Sequence, residues 1–246
     1  MLRLILRLLT TKKNNRLDPN RVGVSRKAPK LLWSAIAILT FSQVFMRVRK
    51  GETAELDAEI THRVQVEGEK HRWFDRLMHI VSWPGFPPQS RIIPPGISAI
   101  LWIKGYRLEA VFQLAAWGTG GVSSIFKRIV KRERPGPKYP HLKVTKANIG
   151  GTSFPSGHVI IYTGVYGFAA YLAALWIETK SVRRVVVGGL MGLVGLVGIS
   201  RVYLGHHWAT DTLASYLLGT TYLVALTSLY RRAKRMSLLP WRRQGL

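Results

Sequence analysis

The sequence predicts an all-α fold, a polytopic membrane bundle of about six transmembrane helices. Two observations support this fold class. Hydrophobic residues make up 47% of the 246 residues, although the chain also carries 37 Lys and Arg against 12 Asp and Glu. The positive charges lie between long apolar segments, as is typical of membrane proteins with basic segments beside the lipid. The apolar segments are residues 31–46, 92–103, 108–126, 154–177, 185–199 and 212–230.

A nucleic-acid-binding protein is the alternative that a net charge of +25 suggests. The long apolar segments argue against it, so no nucleic-acid partner is expected. The chain has no cysteine, which excludes disulfides, thiolate metal sites and a cysteine nucleophile.

The six segments differ in how well they fit a membrane, whose hydrocarbon core of about 30 Å is crossed by about 20 helical residues. The segments at 154–177 and 212–230 fit without extension. The segment at 92–103 is the weakest, because it contains Pro94 and Pro95. We predict a kinked span there that begins near Pro84.

The spans define a transmembrane domain at residues 31–230, between a basic N-terminal tail at 1–30 and a basic C-terminal tail at 231–246. Asp18 is the one acid of the N-terminal tail. This tail is expected to be a disordered segment against anionic lipid headgroups. Alternatively, it is an organelle transit peptide, since such peptides are rich in Arg and poor in acids.

Residues 51–83 connect the first two spans and are predicted to form helices outside the cytoplasm. Leu56, Ile60 and Val64 recur at helical spacing. The second half has the aromatic residues of a helix that lies in the membrane interface. The first half is interpreted as a solvated connecting helix, with a lid or a substrate-selecting segment as the alternative.

Six spans place both termini on one side, and the positive-inside rule assigns that side to the cytoplasm. The loop at 127–146 breaks the rule, because it carries eight Lys and Arg yet lies on the opposite side. We interpret these charges as serving a ligand.

Lys127 and Arg134-Pro135 form the first of three polar segments with candidate functional residues. Lys offers a point charge and Arg a planar fork, and both suit a phosphate. Pro135 is expected to end or redirect the helix. Basic residues flank most membrane helices, so this segment alone is weak evidence.

The second segment is Pro155-Ser156-Gly157-His158, directly before a span. A helix N-terminus binds anions through its backbone N–H groups and its dipole. Gly157 allows a close approach to that backbone, Ser156 adds a hydroxyl, and His158 can give or take a proton. An ordinary helix cap followed by an interfacial histidine is the alternative.

The third segment, Ser200-Arg201-x5-His207-x3-Asp211, combines a cation with a histidine and a carboxylate. His207 and Asp211 share one face if the stretch is helical, and a carboxylate beside an imidazole fixes its tautomer. The alternative is a capped helix start with an interfacial ion pair. His206 is given no role. The six-span topology brings all three segments to the same side, which strengthens the functional interpretation of each.

The ordered set Lys-x6-Arg-Pro, Pro-Ser-Gly-His and Ser-Arg-x5-His-x3-Asp resembles the type 2 phosphatidic acid phosphatase (PAP2) superfamily, also called the lipid phosphate phosphatase family. The resemblance implies that His207 attacks phosphorus and forms a phosphohistidine. It implies that Asp211 holds the tautomer of His207 and that His158 protonates the leaving group. It also implies a set of phosphate-binding residues, namely Lys127, Arg134, Ser156, Gly157 and Arg201. No metal and no other cofactor is expected.

The function expected from this resemblance is hydrolysis of a lipid phosphate by an integral membrane enzyme with cytoplasmic termini and an extracytoplasmic site. Phosphatidate, phosphatidylglycerol phosphate and a prenyl diphosphate all suit a site at the membrane surface. A phosphotransferase that uses the same covalent intermediate is one alternative. A non-catalytic lipid-binding membrane protein is another, and the intact His158 and His207 argue against it. The sequence does not indicate an oligomeric state.

Overall fold

The structure is a computed structural model that describes residues 27–136, 138–145 and 151–237. These residues form α-helices and one short 3₁₀ turn at Trp83–Gly85, with no strand among them, so the all-α prediction is confirmed. In chain order the helices are α1 (Lys27–Arg49), α2 (Ala54–Glu69), α3 (Arg72–Ser82), α4 (Gln89–Ile103), α5 (Arg107–Trp117), α6 (Thr119–Val130), α7 (Gly157–Trp176), α8 (Lys180–Tyr203) and α9 (Ala209–Ser237).

Four helices are long and apolar enough to cross a membrane, and they lie at Pro29–Arg49, Gly157–Trp176, Lys180–Tyr203 and Ala209–Met236. The other two predicted spans are shorter. Helix α4 has 15 residues, and the third predicted span is divided into α5 and α6, of 11 and 12 residues, at Gly118. The protein is therefore an integral membrane helical bundle for which six spans is an approximate count.

Two proline-based predictions of helix boundaries were wrong. Helix α4 begins at Gln89 and not near Pro84, because the chain first makes the 3₁₀ turn at Trp83–Gly85. Helix α6 ends at Val130, well before Pro135. Its end is made by Lys131, which takes a left-handed conformation with φ of 49° and whose N–H still bonds to the carbonyl of Lys127.

The predicted tails lie largely beyond the described residues. Helix α1 already begins at Lys27, and residues 1–26 are outside the described part, so the expected contact with anionic headgroups stays a prediction. Helix α9 continues to Ser237, and the first residues of the predicted C-terminal tail at 231–246 are therefore helical.

Helix α7 is the central element of the bundle. It is apolar on all sides and buried along most of its length. Phe168 on one side packs with Tyr230 of α9 and Ala116 of α5. On another side, Val159 and Val165 pack with residues of α8. Because α7 is enclosed in this way, its N-terminus is fixed relative to the elements around it.

Helices α2 and α3 cover one end of the bundle. The buried side of α2 is polar and includes Asp57, Thr61 and Gln65. Gln65 donates to the carbonyls of Lys143 and Tyr203 at 2.7 and 2.9 Å. The prediction of helices in residues 51–83 is met, but the first of them is not a solvated connector. It packs on the loops that carry the polar segments.

Candidate active site

The three polar segments meet at the end of the bundle that α2 and α3 cover. Lys127 lies in the last turn of α6, Ser156 directly precedes α7, and Arg201 lies in the last turn of α8. His207 lies between α8 and α9, and Asp211 lies in the first turn of α9. The ends of four helices thus supply the side chains that the motifs predicted.

His207 is buried, and its hydrogen bonds define its tautomer. Nδ1 lies 2.8 Å from the carbonyl oxygen of Ser153, which can only accept, so Nδ1 carries the proton. Nε2 lies 3.2 Å from Nη1 of Arg134, which can only donate. Nε2 therefore bears the lone pair, as a nucleophile requires.

Asp211 lies beside His207 as expected, but their contact is longer than a hydrogen bond. Their closest atoms are 3.6 Å apart, beyond hydrogen-bond distance, because His207 precedes the first residue of α9 and the two do not share a helix face. Asp211 instead accepts from the Ser153 hydroxyl, and Ser153 in turn accepts from His207. Ser153 was missed by sequence reasoning, although it lies three residues before Ser156.

Two further contacts hold the Asp211 carboxylate. It accepts from Nη1 of Arg132 at 2.7 Å and from the backbone N–H of Trp208 at 2.9 Å. Arg132 lies in the first polar segment but was not singled out there. Its guanidinium also reaches Asp57 of α2 at 2.6 Å. A buried ionic cluster therefore lies behind Ser153 and His207.

The cations of the site are positioned by backbone carbonyls. Lys127 donates to the carbonyl of Thr152. Arg134 donates to the carbonyl of His206 at 2.5 Å and to that of Gly151 at 3.2 Å. The loop before α7 thus holds both side chains beside His207.

The charges of loop 127–146, which we interpreted as serving a ligand, do not all lie at the candidate site. Arg132 is paired with carboxylates, and Lys143 forms an ion pair with Glu69 at 2.5 Å. Lys146 lies outside the described residues. Of the loop charges that the structure describes, Lys127 and Arg134 lower the pKa of His207, and Arg134 lies 3.2 Å from its Nε2.

Arg201 is a fully buried cation, with an exposed fraction of 0%. Its Nη1 donates to the hydroxyl of Ser82 at 2.5 Å. Its Nε and Nη2 find no acceptor among the described residues, nor do the Ser156 hydroxyl and Nε2 of His158. Buried unpaired donors are costly, and a bound anion would satisfy them.

One wall of the site is formed by residues that belong to none of the three motifs. The ring of Phe86 lies 5.0 Å from the Arg201 guanidinium and 4.9 Å from the His158 ring. A Cβ atom at Gly85 would lie 2.1 Å from the His158 ring, so only glycine fits there. No local sequence pattern predicted that Gly85 or Phe86 would lie at the site. The alternative of a substrate-selecting segment at 51–83 ended just short of them.

The charges around His207 favour its neutral form. Burial lowers the pKa of His207 well below its usual 6.5, and Arg134, Arg201 and Lys127 lower it further. Burial, followed by the charge of Arg201, also lowers the pKa of His206 to about 3. An imidazole that stays neutral among three cations can approach a bound phosphate as a nucleophile.

The donor groups of the described residues do not form a metal site. In residues 27–136, 138–145 and 151–237, no group of three or more His, Asp or Glu side chains is placed to hold a metal ion. The charged group in contact with Nε2 of His207 is the Arg134 guanidinium, and a cation there suits an anion.

Fold and site together define an integral membrane helical protein with a buried, cation-lined site at one end of its bundle. Residues 108–235, about half of the chain, match the family model of the PAP2 superfamily, and the chain belongs to this superfamily. The matched region contains all three motifs. It does not contain Asp57, Ser82 or Phe86.

Two relatives extend the comparison. Phosphatidylglycerophosphatase B of Bacillus subtilis (strain 168) is 31% identical over 129 residues, which are 52% of this chain and 61% of the relative. The match thus spans about six-tenths of that relative's length. The crystal structure of a transmembrane PAP2 type phosphatidylglycerolphosphate phosphatase from Bacillus subtilis has a TM-score of 0.67 at 22% identity, and the match covers 84% of this chain and 98% of that one. This likeness supports the fold.

Proposed function

We propose that the protein is a membrane phosphatase that hydrolyses a lipid phosphate or diphosphate, with phosphatidylglycerophosphate as the first substrate to test. The proposal rests on one observation. The lone pair of His207 Nε2 lies among cations beside the N-terminus of α7, and buried donors of Arg201 lack an acceptor in the described structure. The names of the two relatives support phosphatidylglycerophosphate as the starting choice.

The proposed reaction has two steps. In the first, Nε2 of His207 attacks phosphorus, a P–N bond forms, and the bond from phosphorus to the ester oxygen breaks. His158 gives its proton to that oxygen, so the lipid alcohol leaves neutral. In the second, His158 takes a proton from water as the water oxygen attacks phosphorus. The P–N bond then breaks, and inorganic phosphate and free His207 result.

The surrounding groups act on the charge that develops. Lys127, Arg134 and Arg201 stabilise the phosphoryl oxygens, together with the Ser156 hydroxyl and the backbone N–H of Gly157. On the opposite side of the imidazole, the Ser153 carbonyl keeps the proton on Nδ1. Asp211 acts through Ser153 and stabilises the positive charge of the phosphorylated ring.

A lipid substrate is favoured by what adjoins the site. Ser82, the last residue of α3, and Phe86, which follows the 3₁₀ turn, both contact Arg201. Trp73 and Ile80 of α3 are exposed. Exposed aromatic and aliphatic residues on a helix of this kind anchor it at the membrane–water interface. A phosphate headgroup could therefore reach the site while its apolar chains stay in the bilayer.

The test is phosphate release by the purified protein in detergent, measured with and without a chelator, from a panel of lipid monophosphates and diphosphates. Substrate labelled in the terminal phosphate should leave acid-labile, alkali-stable label on the protein, as a P–N bond does. Label that appears in an added alcohol would instead indicate a phosphotransferase. An absence of release from every member of the panel would refute the proposal, and loss of activity in chelator would refute its metal-free chemistry.

The pH dependence of kcat/KM should reflect the lowered pKa of His207. Because the neutral imidazole attacks, activity should persist below pH 6.5 and be lost as the pH falls through the folded-state pKa. Arg134→Gln removes the cation that lowers the pKa of His207 most. The variant should therefore lose activity at a higher pH than the wild type does when the pH is lowered. The substrate titrates identically in both assays. An acid limb that does not move would contradict this assignment.

We also propose that both termini lie in the cytoplasm and that the site faces outward. The positive-inside rule states that short loops rich in Lys and Arg stay on the cytoplasmic side of the membrane. A reporter fused to the C-terminus should therefore lie in the cytoplasm, and a cysteine introduced at exposed Trp73 should react with an impermeant thiol reagent added outside. A C-terminal reporter outside the cell would contradict this orientation.

A further inference from the structure

Asp57 is a buried carboxylate in a helix that carries no motif. It lies in the first turn of α2, and its exposed fraction is 0%. Oδ1 accepts from the backbone N–H of Thr210 at 2.9 Å, and Oδ2 accepts from the Thr210 hydroxyl at 2.6 Å. Thr210 is in the first turn of α9, where backbone N–H groups have no partner within the helix. Asp57 thus caps the helix that carries Asp211.

Arg132 connects Asp57 to Asp211. Its Nη2 donates to Asp57 Oδ2 at 2.6 Å, and its Nη1 donates to Asp211 Oδ1 at 2.7 Å. The guanidinium is planar and rigid, so two carboxylates on its two nitrogens fix its orientation. Asp211 is thereby held where its other oxygen accepts from Ser153, which accepts in turn from His207.

The charges of this cluster also matter to the reaction. Two carboxylates and one guanidinium leave one net negative charge behind the imidazole, while three cations lie toward the phosphate. This arrangement favours the positive charge that the His207 ring gains when Nε2 is phosphorylated. Without Asp57, the Arg132 charge would cancel that of Asp211. The guanidinium could also turn both nitrogens toward Asp211 and draw it away from Ser153.

We infer that Asp57 is a positioning residue for His207 and that it acts through Arg132 and Asp211. The inference rests on the proposed phosphatase function. It extends the site to α2, outside the region that matches the family model. Buried hydrogen-bonded ionic networks of this kind orient the groups that they surround.

The test is steady-state kinetics of the full-length protein in detergent, on the best substrate of the lipid panel. Asp57→Asn should lower kcat by about tenfold to hundredfold, as loss of an outer partner of a reactive group does. KM should stay close to that of the wild type, because Asp57 does not face the phosphate. Asp57→Glu, which keeps the charge, should recover part of kcat. In an Asp211→Asn background the additional loss from Asp57→Asn should be much smaller, since both changes break one chain of contacts.

Glu59→Gln is the matched control. Glu59 lies on α2 two residues after Asp57 and pairs with Arg63, but it is exposed, so kcat should not change. If Asp57→Asn does not fold, Arg132→Lys serves instead, since a single ammonium cannot hold both carboxylates in the same geometry. Wild-type kcat in folded Asp57→Asn or Arg132→Lys would overturn the inference, as would additive losses in the double variant. A wild type that releases no phosphate would overturn the proposed function itself, and this inference with it.

Discussion

His207→Ala is expected to lower phosphate release from the lipid substrate by roughly 10⁴-fold or more, the scale seen when an enzyme loses its nucleophile. The reason is geometric. Nε2 of His207 carries a lone pair beside Arg134. Nε2 of His206 is directed to the carbonyl of Thr145. Release should be measured with labelled substrate on protein that elutes as a single folded species. The acid-labile label on the protein should disappear as well.

His206→Ala is the control for this experiment. It removes an imidazole that is adjacent in the chain and equally buried. The carbonyl of His206 that accepts from Arg134 belongs to the main chain and remains. His206→Ala should therefore keep activity well above that of His207→Ala. Equal losses in the two variants would indicate that the loop, and not the nucleophile, had been disturbed. Substantial activity in His207→Ala would refute its assignment as nucleophile.

The sequence could predict that several motif residues lie together, because these residues lie at helix ends. The side on which a helix end lies follows from the order of the apolar segments. Lys127, Ser156 and Arg201 could thus be brought together without knowing how the helices pack. The spacing of His207 and Asp211 was less informative. Spacing gives a geometry only inside a helix, and α9 begins after His207.

The sequence could not reveal the contribution of α2. Its buried Asp57, Thr61 and Gln65 recur at the spacing that marks one helix face, but polar residues in that pattern usually indicate a solvated face. Leu56 is 55% exposed, while its neighbour Asp57 is buried. The usual order is reversed because the face of α2 that carries Asp57 packs on the polar side chains of Arg132 and Thr210. Arg132 likewise could not be distinguished from ordinary flanking charge.

Arg201→Met is expected to lower kcat/KM by about 10²–10³-fold, the range for loss of one preorganised donor to developing charge. The same variant should not be destabilised, and its thermal unfolding midpoint in detergent should equal or exceed that of the wild type. Two of the three donor nitrogens of Arg201 lack an acceptor among the described residues, so the folded protein already bears the cost of burying this cation. An apolar side chain of similar length removes that cost.

Arg132→Met is the contrasting variant, because this guanidinium is also largely buried but is paired with Asp57 and Asp211. Its removal leaves two buried carboxylates without their cation, and breaking such a pair costs about 3–5 kcal/mol of stability. We therefore expect both variants to lose activity but only Arg132→Met to unfold at a lower temperature. Equal destabilisation would mean that Arg201 has a structural role. A stable but inactive Arg201→Met would show that the protein keeps a buried, incompletely paired cation for its ligand, at the expense of its own stability.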